Sequence, residues 1–367
     1  MGKISKNQLF CLVMMGQIGS TNLWALGIEA KQDAWIVVLL SLVVGLGLIW
    51  LFTLLNSKFP EENIAEISVA ILGKVIGWPL AFLYALLYIF NATRNASEFG
   101  DLINMTFLED TPRLVIIIIF LLMIIYILFL GIETLARMTE IILPITLFLI
   151  IAIFIMTAFS GLIKIKELTP ILGNGFKPVL KAFYPLGLNF PFGLAFVFFQ
   201  LWKYVDSKQK IRKISIWAVG ISGIIMTITI IVIITSLGAD FAAEATIPLL
   251  EVIKLINIGD IITNLDAIGV ILIFIGGFYL AILNFFSSVI ILATLFKIKN
   301  YRWLLFPIAA LILWYSSIYE PNYPFHVKYL YPQYWQQMVP LHNIIPILLL
   351  IIFGLKNFSG KFKKKKA

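Results

Sequence analysis

The chain has 367 residues, 61% of them hydrophobic and 13% charged, with a mean hydropathy of +0.99. Soluble globular domains are about 45–50% apolar and about 25% charged, so this composition excludes an ordinary water-soluble fold and requires the bilayer as solvent. The formal net charge of +9 reports topology and lipid contact, not nucleic-acid binding.

A helix crosses the hydrocarbon core with about 20 apolar residues, within a range of about 17–25. Ten runs without Asp, Glu, Lys or Arg meet that requirement. In chain order they lie between Lys6 and Glu29, Asp33 and Lys58, Lys74 and Arg94, Arg113 and Glu133, and Glu140 and Lys164. The second five lie between Lys181 and Lys203, Lys213 and Asp240, Asp266 and Lys297, Arg302 and Glu320, and Lys328 and Lys356. Their continuous apolar character selects helices over a β-barrel. No Ser/Gly linker separates them, so the sequence predicts one membrane domain over 1–367. Spans 1–5 occupy about 7–163, spans 6–10 about 182–356, and a basic tail 357–367.

Span 1 holds the lone cysteine, Cys11, which rules out a disulfide framework or thiolate metal cluster. The run is too long, and lacks an evident cleavage site, for a removable signal. It is interrupted at Gly16-Gln17-Ile18-Gly19-Ser20-Thr21-Asn22. Between spans 2 and 3, Pro60 precedes a pattern with Ile64, Ile67 and Ile71 on one helical face, which suits an interfacial helix or packing against the bundle. Span 3 places Tyr88 and Asn91 on one face, and Arg94 and Glu98, four apart at its end, are expected to pair. The segment from Lys164 to Lys181, with Leu168-Thr169-Pro170-Ile171-Leu172-Gly173-Asn174-Gly175, reads as an ordered loop. Span 6 is interrupted at Gly187-Leu188-Asn189-Phe190-Pro191-Phe192-Gly193, and span 8 supplies Tyr279 and Asn284.

Five spans is an odd number, so two five-span halves related as repeats have inverted topology. The interruptions fall in the first span of each half. Unwound backbone presents N–H and C=O groups that a ligand, ion or water must satisfy, and matched interruptions point to a binding site near the midplane. Gly and Pro also serve close helix packing, and polar side chains also bond between helices.

Nineteen Lys and Arg fall on the side of both termini and the Lys203–Lys213 loop, against eight on the other, with Arg94 at a span end. The positive-inside rule makes the first side cytoplasmic. The tail lysines Lys361 and Lys363 to Lys366 flank the last span, where they also suit an anionic lipid surface. His326 and His342 are the two histidines, and neither has spacing that suggests a metal; no phosphate-cradling loop or catalytic constellation is present.

Several pieces together resemble the spore germination permease family, the B subunits of nutrient germinant receptors, within the amino acid, polyamine and organocation transporter superfamily. They are Ile4-Ser5-Lys6-Asn7-Gln8-Leu9 leading into Gly19-Ser20, then Gln32-Asp33-Ala34-Trp35-Ile36, Gly131-Ile132-Glu133-Thr134-Leu135-Ala136-Arg137, the Pro170 to Gly175 loop with Pro178, and Asp266-Ala267-Ile268. The resemblance implies an all-α membrane protein with a LeuT-like fold, ten helices in a 5+5 inverted repeat, and helices 1 and 6 broken. It further implies residence in the spore inner membrane and assembly with A and C subunits, and a small nutrient germinant, often an amino acid, bound between helices 1, 3, 6 and 8. The candidate ligand-binding residues are then Gln17, Gly19, Ser20, Thr21 and Asn22 in span 1, Tyr88 and Asn91 in span 3, Asn189, Pro191, Phe192 and Gly193 in span 6, and Tyr279 and Asn284 in span 8. One position departs: Leu194 stands where family members commonly carry an acidic residue after the Phe-Gly of span 6. No enzyme activity, cofactor or metal is expected. A stand-alone amino acid transporter or exchanger of the same fold, and a scaffold subunit that binds no ligand, are the alternative readings.

Overall fold

The computed structural model describes residues 3–19, 24–258, 265–319 and 331–358. Ser20, Thr21, Asn22, His326 and the tail lysines lie outside the described residues. Helix α1 (Lys6–Ile18) starts at a capping box: Gln8 N–H donates to Ser5 Oγ at 3.2 Å and Ser5 N–H to Gln8 Oε1 at 2.9 Å. These reciprocal bonds satisfy donors that a helix start otherwise leaves open. The helix closes with Gly19 N–H on Met15 O at 3.0 Å.

The following elements are α2 (Ala34–Lys58), α3 (Ile64–Leu72), α4 (Lys74–Thr106), α5 (Arg113–Leu130) and α6 (Ile132–Phe159). The second half begins with α7 (Lys177–Ala182), a π turn (Phe183–Gly187), a 3-10 run (Phe192–Phe198) and α8 (Phe199–Trp202). It continues through α9 (Ile211–Leu237), α10 (Ala239–Glu244), α11 (Pro248–Leu255), α12 (Asp266–Leu295) and α13 (Arg302–Tyr319). Span 10 consists of α14 (Tyr331–Val339), a π turn (Pro340–Ile344) and α15 (Ile345–Phe358).

Eight helical stretches are long and apolar enough to cross a membrane. They cover predicted spans 2–8 and 10. Span 1 misses that length because α1 stops at Gly19 after 13 residues, and span 9 carries the shorter apolar helix Arg302–Ile318. Span 6 is broken as expected: Pro185 and Pro191 supply no N–H to the helical ladder, and Gly187 lies between them.

The packing shows the inverted repeat. Helix α4 packs against α12, α2 against α9 and α5 against α13, so spans 3 and 8, 2 and 7, and 4 and 9 pair with their own equivalents in the other half. A two-fold axis lying in the membrane plane produces this self-pairing. Helix α1 packs against α6, α9 and α12 and so runs through the middle of the bundle.

Hydrogen bonds sort the loops onto two ends of the bundle. At one end Ile4 N–H donates to Tyr204 O at 2.8 Å and Asp206 N–H to Ile4 O at 3.0 Å. At that same end Asn63 Nδ2 donates to Thr294 Oγ1 at 2.7 Å and Lys356 Nζ to Ile71 O at 2.6 Å. The Ile64, Ile67 and Ile71 face of α3 is fully buried, so of the two roles open to it this helix takes packing against the bundle, against α4, α12 and α15. At the opposite end Gln32 Nε2 donates to Pro170 O at 3.1 Å and Leu172 N–H to the Asp33 carboxylate at 2.9 Å. Two separate pieces of the family pattern thus meet, and they order the 164–181 loop. Between α5 and α6 the connection is one residue, Gly131, at φ +113°, a conformation that side chains with a Cβ rarely adopt. Glu133 and Arg137 beyond it form an i,i+4 ion pair at 2.5 Å.

Candidate ligand site at the broken helices

The break in span 6 lies against α4, α12 and span 10. Asn189 donates through Nδ2 to Pro185 O at 3.1 Å, filling an acceptor within the broken stretch, and accepts at Oδ1 from Asn343 Nδ2 at 2.7 Å. Gly193 is needed for close approach, since a Cβ there would sit 2.8 Å from Leu188 O and 3.2 Å from Asn343 Oδ1. The partner Asn343 belongs to the π turn of span 10. Such a turn offsets the backbone hydrogen bonds and re-aims the side chains on it.

Beside this contact is a small cavity of about 10 Å³ lined by Asn91, Arg94 and Asn95 of α4, Phe190 and Leu194 of span 6, Leu280 and Asn284 of α12, and Tyr334 of α14. That volume holds roughly one water, so in this conformation the site is shut. Tyr334 Oη donates to Asn91 Oδ1, and Asn284 Nδ2 is turned back onto Leu280 O at 2.8 Å. Arg94 is 7% exposed and its guanidinium lies 4.7 Å from the centre of the Tyr334 ring. A buried cation against an aromatic face gains about 2 kcal/mol when desolvated. The expected Arg94–Glu98 pair is not among the ion pairs of the described residues; Arg94 points to span 10 instead.

The predicted site residues therefore divide. Asn91 and Asn284 line the cavity, whereas Asn189 and Gly193 are the chain neighbours of its lining residues Phe190 and Leu194 and meet Asn343. Tyr88 is buried beside Gln200, with its ring 6.5 Å from that of Tyr84. Pro191 starts the 3-10 run, and Phe192 packs into α2, where a Cβ on Gly45 would come within 2.3 Å of Phe192 Cβ. Tyr279 lies beside Thr139 of α6, on another side of α12. Gly19 borders a second small cavity with Met15, Thr146 and Gly276, and a Cβ on Gly19 would meet Gly276 O at 3.1 Å. Gln17 is buried with Oε1 unpartnered among the described residues.

Sequence reasoning missed Arg94, Asn95, Tyr334, His342 and Asn343 as members of this region. His342 is 1% exposed, and both its ring nitrogens are without a hydrogen-bond partner among the described residues. An unsatisfied buried polar group costs about 1–3 kcal/mol, a cost that water or a ligand removes. Among the described residues no group of three or more His, Cys, Asp and Glu side chains is arranged to hold a metal.

Comparison with known sequences places this architecture. The profile of the spore permease family, described as "Spore germination protein", matches residues 3–324. The chain belongs to this family. It is 31% identical to spore germination protein KB of Bacillus subtilis (strain 168) over 365 residues, covering 99% of this chain and 96% of that one. It is 27% identical to spore germination protein XB of Bacillus anthracis, covering 71% and 72% of the two chains. Among solved structures it is similar to MHP1, a nucleobase-cation-symport-1 family transporter, in a closed conformation with bromovinylhydantoin bound (TM-score 0.63, 15% identity, 85% of this chain and 71% of that one). It is also similar to MhsT in complex with L-phenylalanine (TM-score 0.63, 16% identity, 86% and 80%). These likenesses show the fold, a LeuT-like helical membrane protein. As a spore germination permease-like protein with multiple spans, the chain has relatives named for germination and fold neighbours that are transporters.

Proposed function

We propose that this protein is the permease-like subunit of a spore germinant receptor, and that it binds a small nutrient germinant, an amino acid, at the break in span 6. The observation that carries the reading is the convergence of Asn91, Arg94, Asn95, Asn284 and Tyr334 on Phe190 and Leu194 of the broken helix. Hydrogen-bonding amides and a cation, walled by apolar side chains, are the groups that hold the polar end of an amino acid inside a bilayer. Arg94 matches a carboxylate, the asparagine amides match either end of a zwitterion, and Leu194 leaves the described lining without a carboxylate of its own. The cavity is too small for such a ligand, so binding requires span 10 or span 6 to move outward. In span 1, this reading assigns Gln17 and Gly19 to the remaining wall once the site opens.

The same reading places the protein in the spore inner membrane, in a single domain, with both termini cytoplasmic and with A and C subunits beside it. The nineteen-to-eight charge split supports the orientation, and the Ile4–Tyr204 contact agrees with it by holding the amino terminus beside the Lys203–Lys213 loop. The function is neither catalytic nor dependent on a cofactor.

The test is the germination response of spores carrying Asn284→Ala or Arg94→Gln at normal protein level. Losing one charge-assisted hydrogen bond of about 1.5–3 kcal/mol raises the half-maximal amino acid concentration by about 10- to 100-fold. Unchanged dose-response curves in both variants reject the site. Uptake of radiolabelled amino acid by the chain expressed alone selects the transporter reading instead.

A further inference from the structure

Away from the ligand site, a cavity of about 950 Å³ opens between the end of α2 and the start of α9. Its polar lining includes Lys58, Lys208, Arg212, Lys213 and Asn56, and no Asp or Glu lines it. Trp50 and Trp217 stand on its two walls, 46% and 60% exposed. Arg212 is fixed in the wall by Nε donating to Thr53 Oγ1 at 3.3 Å and by the Trp50 ring, 5.7 Å from its guanidinium carbon. Asn56 is only 2% exposed, yet its Nδ2 has no hydrogen-bond acceptor among the described residues. That nitrogen is closed off from the cavity, and it is the rim of cations without a lining carboxylate that calls for an anionic occupant.

Depth along the helices gives the occupant its shape. Trp50 lies about 12 Å along α2 from Lys58, and Trp217 about 7.5 Å along α9 from Arg212. The cations are therefore at the rim, and the indole rings stand one to two turns further into the bilayer. A headgroup phosphate at the rim with acyl chains passing the tryptophans reproduces this arrangement, whereas a soluble anion uses only the rim. We infer that the α2–α9 cavity is a binding site for an anionic phospholipid, with Arg212 and Lys213 on the phosphate and Trp50 and Trp217 on the glycerol and upper acyl chains. This site is separate from the proposed ligand site and does not depend on it.

Native mass spectrometry of the full chain, released from detergent with dioleoylphosphatidylglycerol or dioleoylphosphatidylcholine, tests the assignment. One Lys or Arg near a lipid surface is worth about 1 kcal/mol, or about fivefold in affinity. Phosphatidylglycerol is expected to stay bound at least that much more strongly than phosphatidylcholine. Lys213→Glu, a change at an exposed side chain, is expected to abolish the preference. Lys297→Gln with Lys299→Gln, which removes two charges from another loop, is expected to leave it intact. Inorganic phosphate in excess is expected not to displace the lipid. Equal retention of the two lipids, an unaffected Lys213→Glu variant, or equal loss in the Lys297/Lys299 control overturns the site, and displacement by phosphate assigns it to a soluble anion instead.

Discussion

Asn343 Nδ2 donates to Asn189 Oδ1 at 2.7 Å, so the π turn of span 10 is tied directly to the break in span 6. The bond gives the Asn343 side-chain N–H an acceptor across the two spans. Interhelical hydrogen bonds of this kind are worth about 0.5–2 kcal/mol in membranes. Asn343→Ala is expected to lower stability by about 1 kcal/mol in detergent-induced unfolding, and the same substitution in an Asn189→Ala background to cost less. Additive losses contradict the coupling.

Leu194 lines the cavity that also holds Arg94. Leu194→Glu puts a carboxylate into that space, where it competes with a ligand carboxylate for the cation. The half-maximal amino acid concentration for germination is expected to rise by about tenfold or more. Leu194→Gln, similar in size and uncharged, is expected to fall well short of that shift. Equal effects of the two variants show volume, not charge, to be at issue.

Arg113 joins three spans. Its Nε lies 2.6 Å from Asp101 Oδ1, and its Nη1 donates to Ser316 O at 3.1 Å. The Asp101 side chain is 8% exposed and that of Arg113 20%, so removing one partner leaves a charge poorly solvated. Breaking such a buried pair costs about 3–5 kcal/mol, and the exposure of Arg113 reduces this. Asp101→Leu is expected to lose about 2–3 kcal/mol in an unfolding titration, and Asp101→Leu with Arg113→Met to recover part of it. A double variant as unstable as the sum of the singles contradicts that expectation.

At Gly19 a Cβ meets backbone on both sides, Gly276 O at 3.1 Å and Met15 O at 3.2 Å. Backbone yields less readily than a side-chain end, so even Gly19→Ala is expected to shift the α1–α12 contact, at a cost of about 1–3 kcal/mol. Gly19→Leu is expected to lower the amount of protein in the membrane as well as the germination response. Normal accumulation of both variants with normal responses shows that neither packing nor binding depends on the position.

Orientation is open to a direct check. In a Cys11→Ser background, single cysteines at Lys177 and Lys208 are expected to react with an impermeant reagent from opposite sides of the membrane. Labelling of both from one side excludes the assigned topology.

Most of the fold was legible because a bilayer imposes simple constraints. Charge-free runs between Asp33 and Lys58 or Asp266 and Lys297 admit one structure, and Gly187 and Pro191 announce the break in span 6. The ligand region was legible in part. Asn91, Asn189 and Asn284 stand out as amides in apolar runs. His342 and Asn343 stand out in the same way, but nothing in a local pattern tells that Pro340 opens a π turn that aims them at span 6. Arg94 was read from its place at a span end, where long side chains often reach water. The deciding factor was tertiary: Tyr334, distant in sequence, covers the guanidinium. An arginine bordered by Asn91 and Asn95 at the end of a charge-free run was the signal available.

The backbone pairing of Ile4 with Tyr204 and Asp206 has a mechanical consequence. It joins the start of one broken helix to the end of the other, at a point where the chain is hydrogen-bonded whatever side chains it carries. The two interrupted spans consequently leave a common anchor, and a displacement of either transmits tension to its counterpart through main-chain atoms. Point substitution there leaves this linkage in place, whereas deleting the residues before α1 severs it. Shortening the amino terminus by a handful of residues is thus a perturbation of span 6, felt half the sequence away.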